Sequence, residues 1–570
     1  MRTTPQKLID DYTSRGWWGL ETATSLFERA VHEVPDRLAL ADPLNRSSLV
    51  AGDARRLSFR EASARIEATA AALHASGIRA DDIVVVQLPN IVELPIMYLA
   101  LAKLGAVASP VPVQYGRHEL TEIQQSLKAA AFVSLHDFKG QDLLSDHAVA
   151  FDGCHLFALA SEPGASTVDL ERYDCSDQEQ AAYAACCEGF TPDANDIFTI
   201  CWTSGTTGTP KGVPRSHNHW LATSVGSGGL AELQNGDVLL NPFPLVNMAG
   251  LGGFFYNWLK SQGTLVLHHP MDLPVFLQQI SEEKTNYTIA PPPLLNMLLQ
   301  NRQMLDNLDL SALRAIGSGS APLSPWMVEG YENDYGISIL NNFGSNEGMC
   351  LLSSPKQVPD PALRGELFPR FIGEADGYDW GIPIAKMFSS RIVDTETGDE
   401  IVEPGIPGEM LIGGPTVFDG YWDSPAVNEE VFSSEGFFHT GDIFEIAGDG
   451  DLKKFYRFVG RHKDIISRGG MKISPAELDN LLAGHDKIAD VAVVGVADKI
   501  LGERIGVAVV PKPGEEVELS EIIDFLKAAD VAVFKLPEMI QIVESLPRNP
   551  LGKVLRHELV HIFPSGAFDD

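Results

Sequence analysis

Short apolar runs alternate with helix-patterned stretches through most of the chain, and this limits the fold more than any other feature, because strands joined by helices pair in parallel. Glu61 to Gly77 carries Ile66, Ala70 and Leu73 at helical spacing and stops at glycine; the run Ile83-Val84-Val85-Val86 follows, closed by Pro89-Asn90. Leu94 to Gly105 reads as another helix, and further short runs begin at Asp237, Gly263, Asn286 and Ile337. The expected class is α/β, with a large N-terminal domain of stacked, mostly parallel sheets and helices. After about residue 460 the pattern changes to Val491-Ala-Val-Val, Ile505-Gly-Val-Ala-Val-Val, a helix around Ser520 to Ala529, and Met539-Ile-Gln-Ile-Val. That predicts a small separate α+β domain. The polar, acidic stretch Glu162 to Asn195 has no clear periodicity and predicts a surface connection into the strand Ile197-Phe-Thr-Ile-Cys-Trp.

Charge narrows the functions open to such a chain. Lys and Arg total 43 against 77 Asp and Glu, a net −34, so the field repels nucleic acid and anionic lipid surfaces. Hydrophobic residues at 44% and charged residues at 21% exclude disorder. The six cysteines show no CxxC spacing, which predicts ordinary thiols in a reducing cytoplasm and no structural zinc site. The most apolar window, Ile91 to Val111, is broken by Glu93, Pro95, Lys103 and Pro110, so no membrane span is expected. His217, His219, His268 and His269 lack a third ligand nearby and are expected as surface or loop histidines.

Directly after the strand ending at Trp202 comes Thr203-Ser204-Gly205-Thr206-Thr207-Gly208-Thr209-Pro210-Lys211-Gly212. Glycines let the backbone turn N–H groups inward, hydroxyls add donors, and Lys211 offsets the charge of a polyphosphate. The Gly-Lys-Ser/Thr ending of a Walker A loop is missing. A hard oxygen ligand suited to Mg²⁺ is available at Glu347, placed after a strand and a Phe-Gly turn. Asp442, in Thr440-Gly441-Asp442, has the acceptors to hold a diol. Lys553 sits in a Pro/Gly-rich loop, and seven basic residues (Lys453, Lys454, Arg457, Arg461, Lys463, Arg468, Lys472) form an island where a polyanion should meet this acidic protein.

The phosphate loop resembles that of the acyl-adenylate-forming family, which includes acyl-CoA synthetases, nonribosomal adenylation domains and luciferases. Further segments follow in that family's order. Gly317-Ser-Gly-Ser-Ala-Pro-Leu323 resembles the adenine wall, Asn341-Asn-Phe-Gly-Ser-Asn-Glu347 the Tyr-Gly-x-Thr-Glu segment, and Thr440-Gly-Asp442 the ribose-binding turn. Gly460 to Leu478 resembles the hinge and first loop of a mobile domain, and Leu546-Pro-Arg-Asn-Pro-Leu-Gly-Lys553 its catalytic-lysine loop.

The resemblance implies an N-terminal AMP-binding domain over 1–460 with the acyl pocket and ATP site, a hinge at 461–463 centred on Lys463, and a mobile domain with the catalytic lysine over 464–570. It implies ATP contacts from Thr203, Ser204, Gly205, Thr206, Thr207, Gly208 and Lys211. Phe343 and Gly344 would lie against adenine, Asn341 would read its amino edge, and Gly319, Ser320, Ala321 and Pro322 would line the opposite face. Asp442 would hold ribose and Arg461 the nucleotide. Lys553 would contact the attacking carboxylate and the α-phosphoryl group, then vacate the site as the small domain turns so that a thiol can enter. Arg468, Gly469 and Gly470 are the region expected to guide CoA. The implied cofactors are ATP, Mg²⁺ and CoA, and the implied reaction is AMP-forming ligation of a carboxylic acid to CoA. A homodimer is left open.

The acyl pocket is expected from the segment 242–255, with Asn247, Met248 and Leu251, and from Asn342, Gly348 and Met349. Glycines at 250, 252 and 253 either leave room for a bulky acid or serve tight backbone packing. No arginine stands in these segments to pair a second carboxylate, which points to an apolar monocarboxylate: medium-chain, alicyclic, steroid side-chain or aryl. The segments around Ser467 and Phe534 resemble those of cyclohexanecarboxylate-CoA ligases and dihydroxybenzoate-AMP ligases. A hydroxylated aryl acid would need polar partners, for which Asn247 is the candidate. An adenylation enzyme that loads a separate carrier protein is the alternative; a nucleotide sensor without turnover and a light-emitting oxygenase are the remaining, disfavoured readings.

Overall fold

The computed structural model describes residues 1–159, 167–203, 210–319, 323–373, 378–461, 463–468, 471–498, 501–529, 531, 533–549 and 553–563, leaving out the side chains of 349, 350, 467, 471, 472 and 502. Among these residues the strands form four sheets. The first runs Val168–Asp169, His155–Ala158, Ala131–Ser134, Ile83–Val86, Val107–Pro110, Ile197–Thr203 and Lys211–Ser216, parallel except for the last, hairpin pair. In the second, Ser338–Ser345, Ala315–Gly319, Tyr287–Ile289, Val238–Asn241, Thr264–Leu267 and Leu38–Ala41 lie parallel, with Gly348–Ser353 and Arg56–Ser58 antiparallel at the two edges.

Both sheets are buried on both faces, which explains why their strands read as unbroken apolar runs. Val84 and Val86 point into the main core, whereas Ile83 and Val85 point into a second cluster with Phe132 and Phe151. In the other sheet Leu239 and Leu265 join the same main core, and Leu240 and Val266 face a separate cluster with Phe276 and Met327. The main core therefore lies between the sheets. The helix Glu93–Leu104 belongs to it, buried along all its residues except Lys103, as a helix apolar on every side must be. Its one buried acid, Glu93, is held bidentate by the equally buried Arg46 at 2.6 and 2.8 Å.

Two features depart from the sequence expectations. Within the expected surface connection, Asp177–Gly189 is a helix with a Ser176/Glu179 capping box, and its buried Tyr183 donates to Glu67 at 2.6 Å. Its alanines give helix propensity without an apolar stripe, so periodicity could not reveal it. The third sheet, Leu367–Pro369, Phe455–Arg461, Phe438–Ile446, Gly408–Gly413 and Ser389–Val393, is wholly antiparallel.

The smaller C-terminal domain is built on Met471–Ile473, Ile466–Arg468, Gly502–Pro511 and Ile488–Asp498, antiparallel, with Met539–Ile542 added in parallel. Val491 and Val493 pack with Leu478 and Leu526 from helices on one face, while Ala492 and Val494 pack with Leu559 and Phe563 on the other. The alternation is the period of two of a strand covered on both sides.

No helix among the described residues is long and apolar enough to cross a membrane.

Candidate active site

The glycine- and hydroxyl-rich loop joins the two strands of a hairpin whose ends pair Thr203 with Lys211. Ser204, Gly205, Thr206, Thr207 and Gly208 lie outside the described residues, as do Ser320, Ala321, Pro322, Gly469 and Gly470. The Lys211 ammonium lies 5.0 Å from the centre of the Tyr421 ring, and the Tyr421 hydroxyl donates to Glu347 Oε1 at 2.8 Å. Burial and the neighbouring Glu347 push the Tyr421 phenol above its usual pKa, so it stays a donor. Glu347 is buried at 8% exposure and its other carboxylate oxygen has no hydrogen-bond partner among the described residues.

The backbone that carries Glu347 is tied down from several directions. Asn346 donates to the Trp202 carbonyl at 3.0 Å and accepts from Met248 N at 2.8 Å, so it links the end of the phosphate strand to the segment expected to line the acyl pocket. Arg215, with no solvent exposure, donates to the carbonyls of Asn346 at 2.9 Å and Thr416 at 2.7 Å and to Thr223 Oγ1 at 3.1 Å. Burial pulls its pKa down to about 10, which still leaves it charged at neutral pH. Phe418 N donates to the Glu347 carbonyl at 2.8 Å, and Trp422 N to Gly212 O at 2.8 Å. The segment 416–422 thus docks onto both the hairpin and the acid.

Tyr421 and Arg215 were not singled out in the sequence. A signal existed for Tyr421: the Asp419-Gly420-Tyr421-Trp422 run places an aromatic pair after a glycine whose φ is +137°. Arg215 carried none, because a lone arginine in a strand looks like a surface residue until its burial is known.

Asp442 and Arg461 face each other across neighbouring strands of the antiparallel sheet, joined by an ion pair of 3.2 Å. The expected Thr-Gly-Asp turn is an irregularity inside the strand Phe438–Ile446. Gly441 takes φ +70° and Thr440 Oγ1 accepts from Asp442 N at 3.1 Å, and the strand's register shifts just beyond, between Ile443 and Phe444. Such bulges re-aim a side chain. Burial raises the Asp442 carboxyl's pKa, against the opposing pull of Arg461 and Lys553.

Lys553, 111 residues after Asp442 in the chain, is delivered to the same place. Burial, then the Arg461 guanidinium, push its ammonium down to about 7, and Asp442 and Asp464 pull the other way. Its loop is held by a reciprocal pair, Lys553 N to Asn549 Oδ1 at 2.9 Å and Asn549 N to Lys553 O at 2.8 Å.

Phe343 packs edge-on against Phe444 at 4.9 Å and also touches Phe368 and Phe458, with the neighbouring Gly344 exposed. Asn341 is buried and donates to the carbonyls of Arg364 and Gly365, which fixes its amide. Gly319 is needed where it stands, since a Cβ there would lie 2.1 Å from the Asn342 carbonyl oxygen.

The acyl segment contains a π-helical turn, Leu251–Phe255, an irregularity frequent at functional sites. The three glycines divide: a Cβ on Gly250 or Gly252 would meet neighbours at 2.6 and 2.4 Å, whereas one on Gly253 would meet nothing within 4 Å. Gly250 and Gly252 serve packing and Gly253 borders open space. Asn247 is a helix N-cap whose Oδ1 accepts from Gly250 N at 3.1 Å, so that oxygen is committed to the backbone rather than offered to a ligand. Leu251 is wholly buried in the main core, Met248 packs at its margin, and Gly348 is closed in by Ile412 and Val417. The side chain of Met349 lies outside the described residues.

Other expectations change with the fold. The four histidines are buried, not at the surface. His217 Nδ1 lies 2.8 Å from the Tyr256 hydroxyl and His268 Nδ1 2.7 Å from Gln279 Oε1, and burial pushes the His217 and His269 pKa values down to about 3 and about 4. The basic island is partly neutralised: Arg457 pairs with Glu445 at 2.8 Å, Arg461 with Asp442, and Arg468 with both oxygens of Glu538. Lys463 is exposed in the turn between the third sheet and Ile466.

Comparison with known proteins matches residues 27–422 to a family described as AMP-binding enzyme and residues 477–553 to the AMP-binding enzyme C-terminal domain. The chain is 30% identical over 560 residues to a 2-hydroxy-7-methoxy-5-methyl-1-naphthoate–CoA ligase of Streptomyces carzinostaticus, with 96% of this chain and 94% of that protein covered. It is 28% identical to the pyochelin synthase PchD of Pseudomonas aeruginosa, over 97% of this chain and 95% of that one. Its fold is like that of ATP-bound MatB from Rhodopseudomonas palustris, at TM-score 0.75 and 24% identity, covering 95% of this chain and all of that one.

Proposed function

The chain belongs to the AMP-binding enzyme family, in its acid:CoA ligase branch, and from that premise we propose that it activates a carboxylic acid as the acyl-adenylate with release of pyrophosphate, then passes the acyl group to the CoA thiol with release of AMP. The observation that carries this reading is the Asp442–Arg461 ion pair and the Lys211–Tyr421–Glu347 array, with Lys553 within electrostatic reach of Asp442 and Arg461.

In the first step the acid's carboxylate oxygen attacks the α-phosphorus of ATP, and the bond to the bridging oxygen of pyrophosphate breaks. Lys553, as an ammonium, draws the carboxylate to the α-phosphoryl group and takes up the charge that grows on its oxygens. Lys211 and the hairpin loop hold the β- and γ-phosphates. Asp442 accepts from the ribose hydroxyls, and Arg461 opposes the effect of burial on its carboxylate. Phe343 lies along the base. A buried carboxylate with one oxygen on Tyr421 and the other without a partner among the described residues suits Mg²⁺, which prefers one or two carboxylates plus phosphate and which, when bound, would neutralise charge on the departing pyrophosphate. In the second step the domain beginning near residue 464 turns about Lys463, removing Lys553 and bringing the region of Arg468 to the site as CoA enters.

The acid is an apolar monocarboxylate, and the open space at Gly253 gives it room for a ring. The naphthoate ligase among the relatives supports an aryl acid. The match to a synthase rather than a named CoA ligase supports the second reading, transfer to a carrier protein.

The test is pyrophosphate release from ATP and Mg²⁺ over fatty, alicyclic, steroid and aryl acids, each with and without CoA, with products identified by mass. Acid-dependent release giving an acyl-CoA is expected. An acyl-adenylate that CoA never discharges would favour the carrier protein, and no release with any acid would overturn both.

A further inference from the structure

The amide of Asn346 is engaged at both ends, and its two partners belong to segments that serve different substrates. Nδ2 donates to the Trp202 carbonyl at 3.0 Å, and Oδ1 accepts from Met248 N at 2.8 Å. A carbonyl takes only a donor and a backbone N–H only an acceptor, so the amide has one orientation. Trp202 immediately precedes Thr203 and the phosphate loop. Met248 opens the turn Met248–Gly250, which leads into the π-helical stretch Leu251–Phe255 and the open space at Gly253.

None of the three parts can yield alone. Arg215 holds the Asn346 carbonyl at 2.9 Å, and Asn346 and Trp202 are both buried. Asn247 caps the turn, its Oδ1 accepting from Gly250 N at 3.1 Å and its carbonyl from Leu251 N at 2.8 Å. A Cβ on Gly250 would stand 2.6 Å from the Pro244 carbonyl oxygen, so the turn is packed tightly and shifts as a unit. A planar amide between two such segments passes a displacement of one to the other or loses a buried hydrogen bond. Asn346 also stands where the Tyr-Gly-x-Thr-Glu segment has threonine. A hydroxyl offers one atom, one bond nearer the backbone, where the amide offers a donor and an acceptor that point apart.

We propose that Asn346 is a positioning residue that couples the two substrate sites, so that nucleotide held by the hairpin orders the acyl segment before the acid arrives. By reciprocity the acid tightens the nucleotide by the same factor. The inference rests on the proposed binding of ATP at the hairpin and of the acid at the segment 242–255.

The experiment measures hydrogen–deuterium exchange over residues 247–255 with and without α,β-methylene-ATP and Mg²⁺, at concentrations that calorimetry shows to saturate each protein. The methylene bridge blocks loss of pyrophosphate, so the nucleotide stays intact and no acid is needed. In the wild type the nucleotide should slow exchange at Met248, Gly250 and Leu251 by about fivefold or more. In Asn346→Thr the nucleotide should still bind, and the response should shrink below about twofold. A turn merely loosened by the substitution would exchange faster with and without nucleotide and keep the ratio. If Asn346→Thr does not fold, Asn346→Asp separates the two bonds: it keeps an acceptor for Met248 and sets an oxygen against the Trp202 carbonyl. Its exchange without nucleotide should match the wild type, and its response should be lost. A wild type that binds nucleotide without a response at 247–255, or a full response in the variants, would overturn the inference. Variants that bind no nucleotide would overturn it too, by placing Asn346 in the nucleotide site itself. A wild type that binds no nucleotide would overturn the reading beneath it, and the inference with it.

Discussion

The site is assembled from two regions held in opposite ways. Glu347 is fixed by four buried groups: Asn346 on Trp202, Arg215 on two carbonyls, Phe418 on the Glu347 carbonyl and Tyr421 on its side chain. Lys553 stands on a loop secured by Asn549, in a different domain. A group that binds the nucleotide through both half-reactions gains from rigidity. A group that must be present for one step and absent for the next cannot be built into the core, and it relies on charge rather than packing to find its place. The two regions should therefore fail differently when mutated.

The largest effect is expected at Lys553. Lys553→Ala should lower acid-dependent pyrophosphate release by about 10²–10³-fold, the loss typical of one preorganised charge-stabilising group. The melting temperature should stay where it is. Thioester formation from a supplied acyl-adenylate should fall much less if, as proposed, the turn of the small domain takes Lys553 from the site in that step. Equal losses in both half-reactions would erase the distinction between a fixed and a visiting group.

Arg215→Leu should do the reverse. It removes the hydrogen bonds that Arg215 donates to the carbonyls of Asn346 and Thr416 in a buried region, where leaving such a group unsatisfied costs about 1–3 kcal/mol. Denaturant unfolding should show a loss of roughly 2–5 kcal/mol, and both half-reactions should suffer together. A variant of normal stability that loses adenylation alone would mean that the arginine acts on the nucleotide, not through the Glu347 segment.

Acidity separates the regions too. Only the ammonium form of Lys553 can draw in the carboxylate, and burial has pushed its pKa down to about 7. In the free enzyme the productive form therefore disappears as pH rises through about 7, and kcat/KM for adenylation should fall over that interval. Bound ATP brings negative charge that favours the ammonium, so the corresponding limb of kcat should lie at higher pH. The Lys553→Arg variant, always charged, should lack the limb. Coincident limbs for the two parameters, or a limb retained in the arginine variant, would place the ionisation elsewhere.

How much of this could be read beforehand follows the same divide. The parallel strands were legible because burial on both faces leaves no polar residue in runs such as Ile83–Val86. Glu347, Asp442, Arg461 and Lys553 were expected because the segments that carry them resemble those of the adenylate-forming family in the same order, and the fold pairs Asp442 with Arg461 and sets Glu347 against Tyr421. The scaffold beneath Glu347 was not. Arg215, Asn346 and Tyr421 are ordinary residues far apart in the chain, and only the fold gives them a common target. The histidines misled for a related reason: His217 and His268 are buried hydrogen-bond partners of Tyr256 and Gln279, and no local pattern distinguishes such a histidine from a solvated one.

Two smaller substitutions measure how firmly each half is held. Tyr421→Phe keeps the ring beside Lys211 and removes only the hydrogen bond to Glu347, a bond to a charged group. About tenfold in kcat/KM for ATP is expected, with stability little changed. Asn549→Ala should cost least, about three- to tenfold, since it removes one side-chain contact from the Lys553 loop and leaves the charges that attract the lysine in place. The Tyr421 effect should appear in both half-reactions and the Asn549 effect in adenylation alone. If Asn549→Ala instead slowed thioester formation as much as adenylation, the Lys553 loop would be part of the fixed scaffold, and the turn of the small domain would lose its physical purpose.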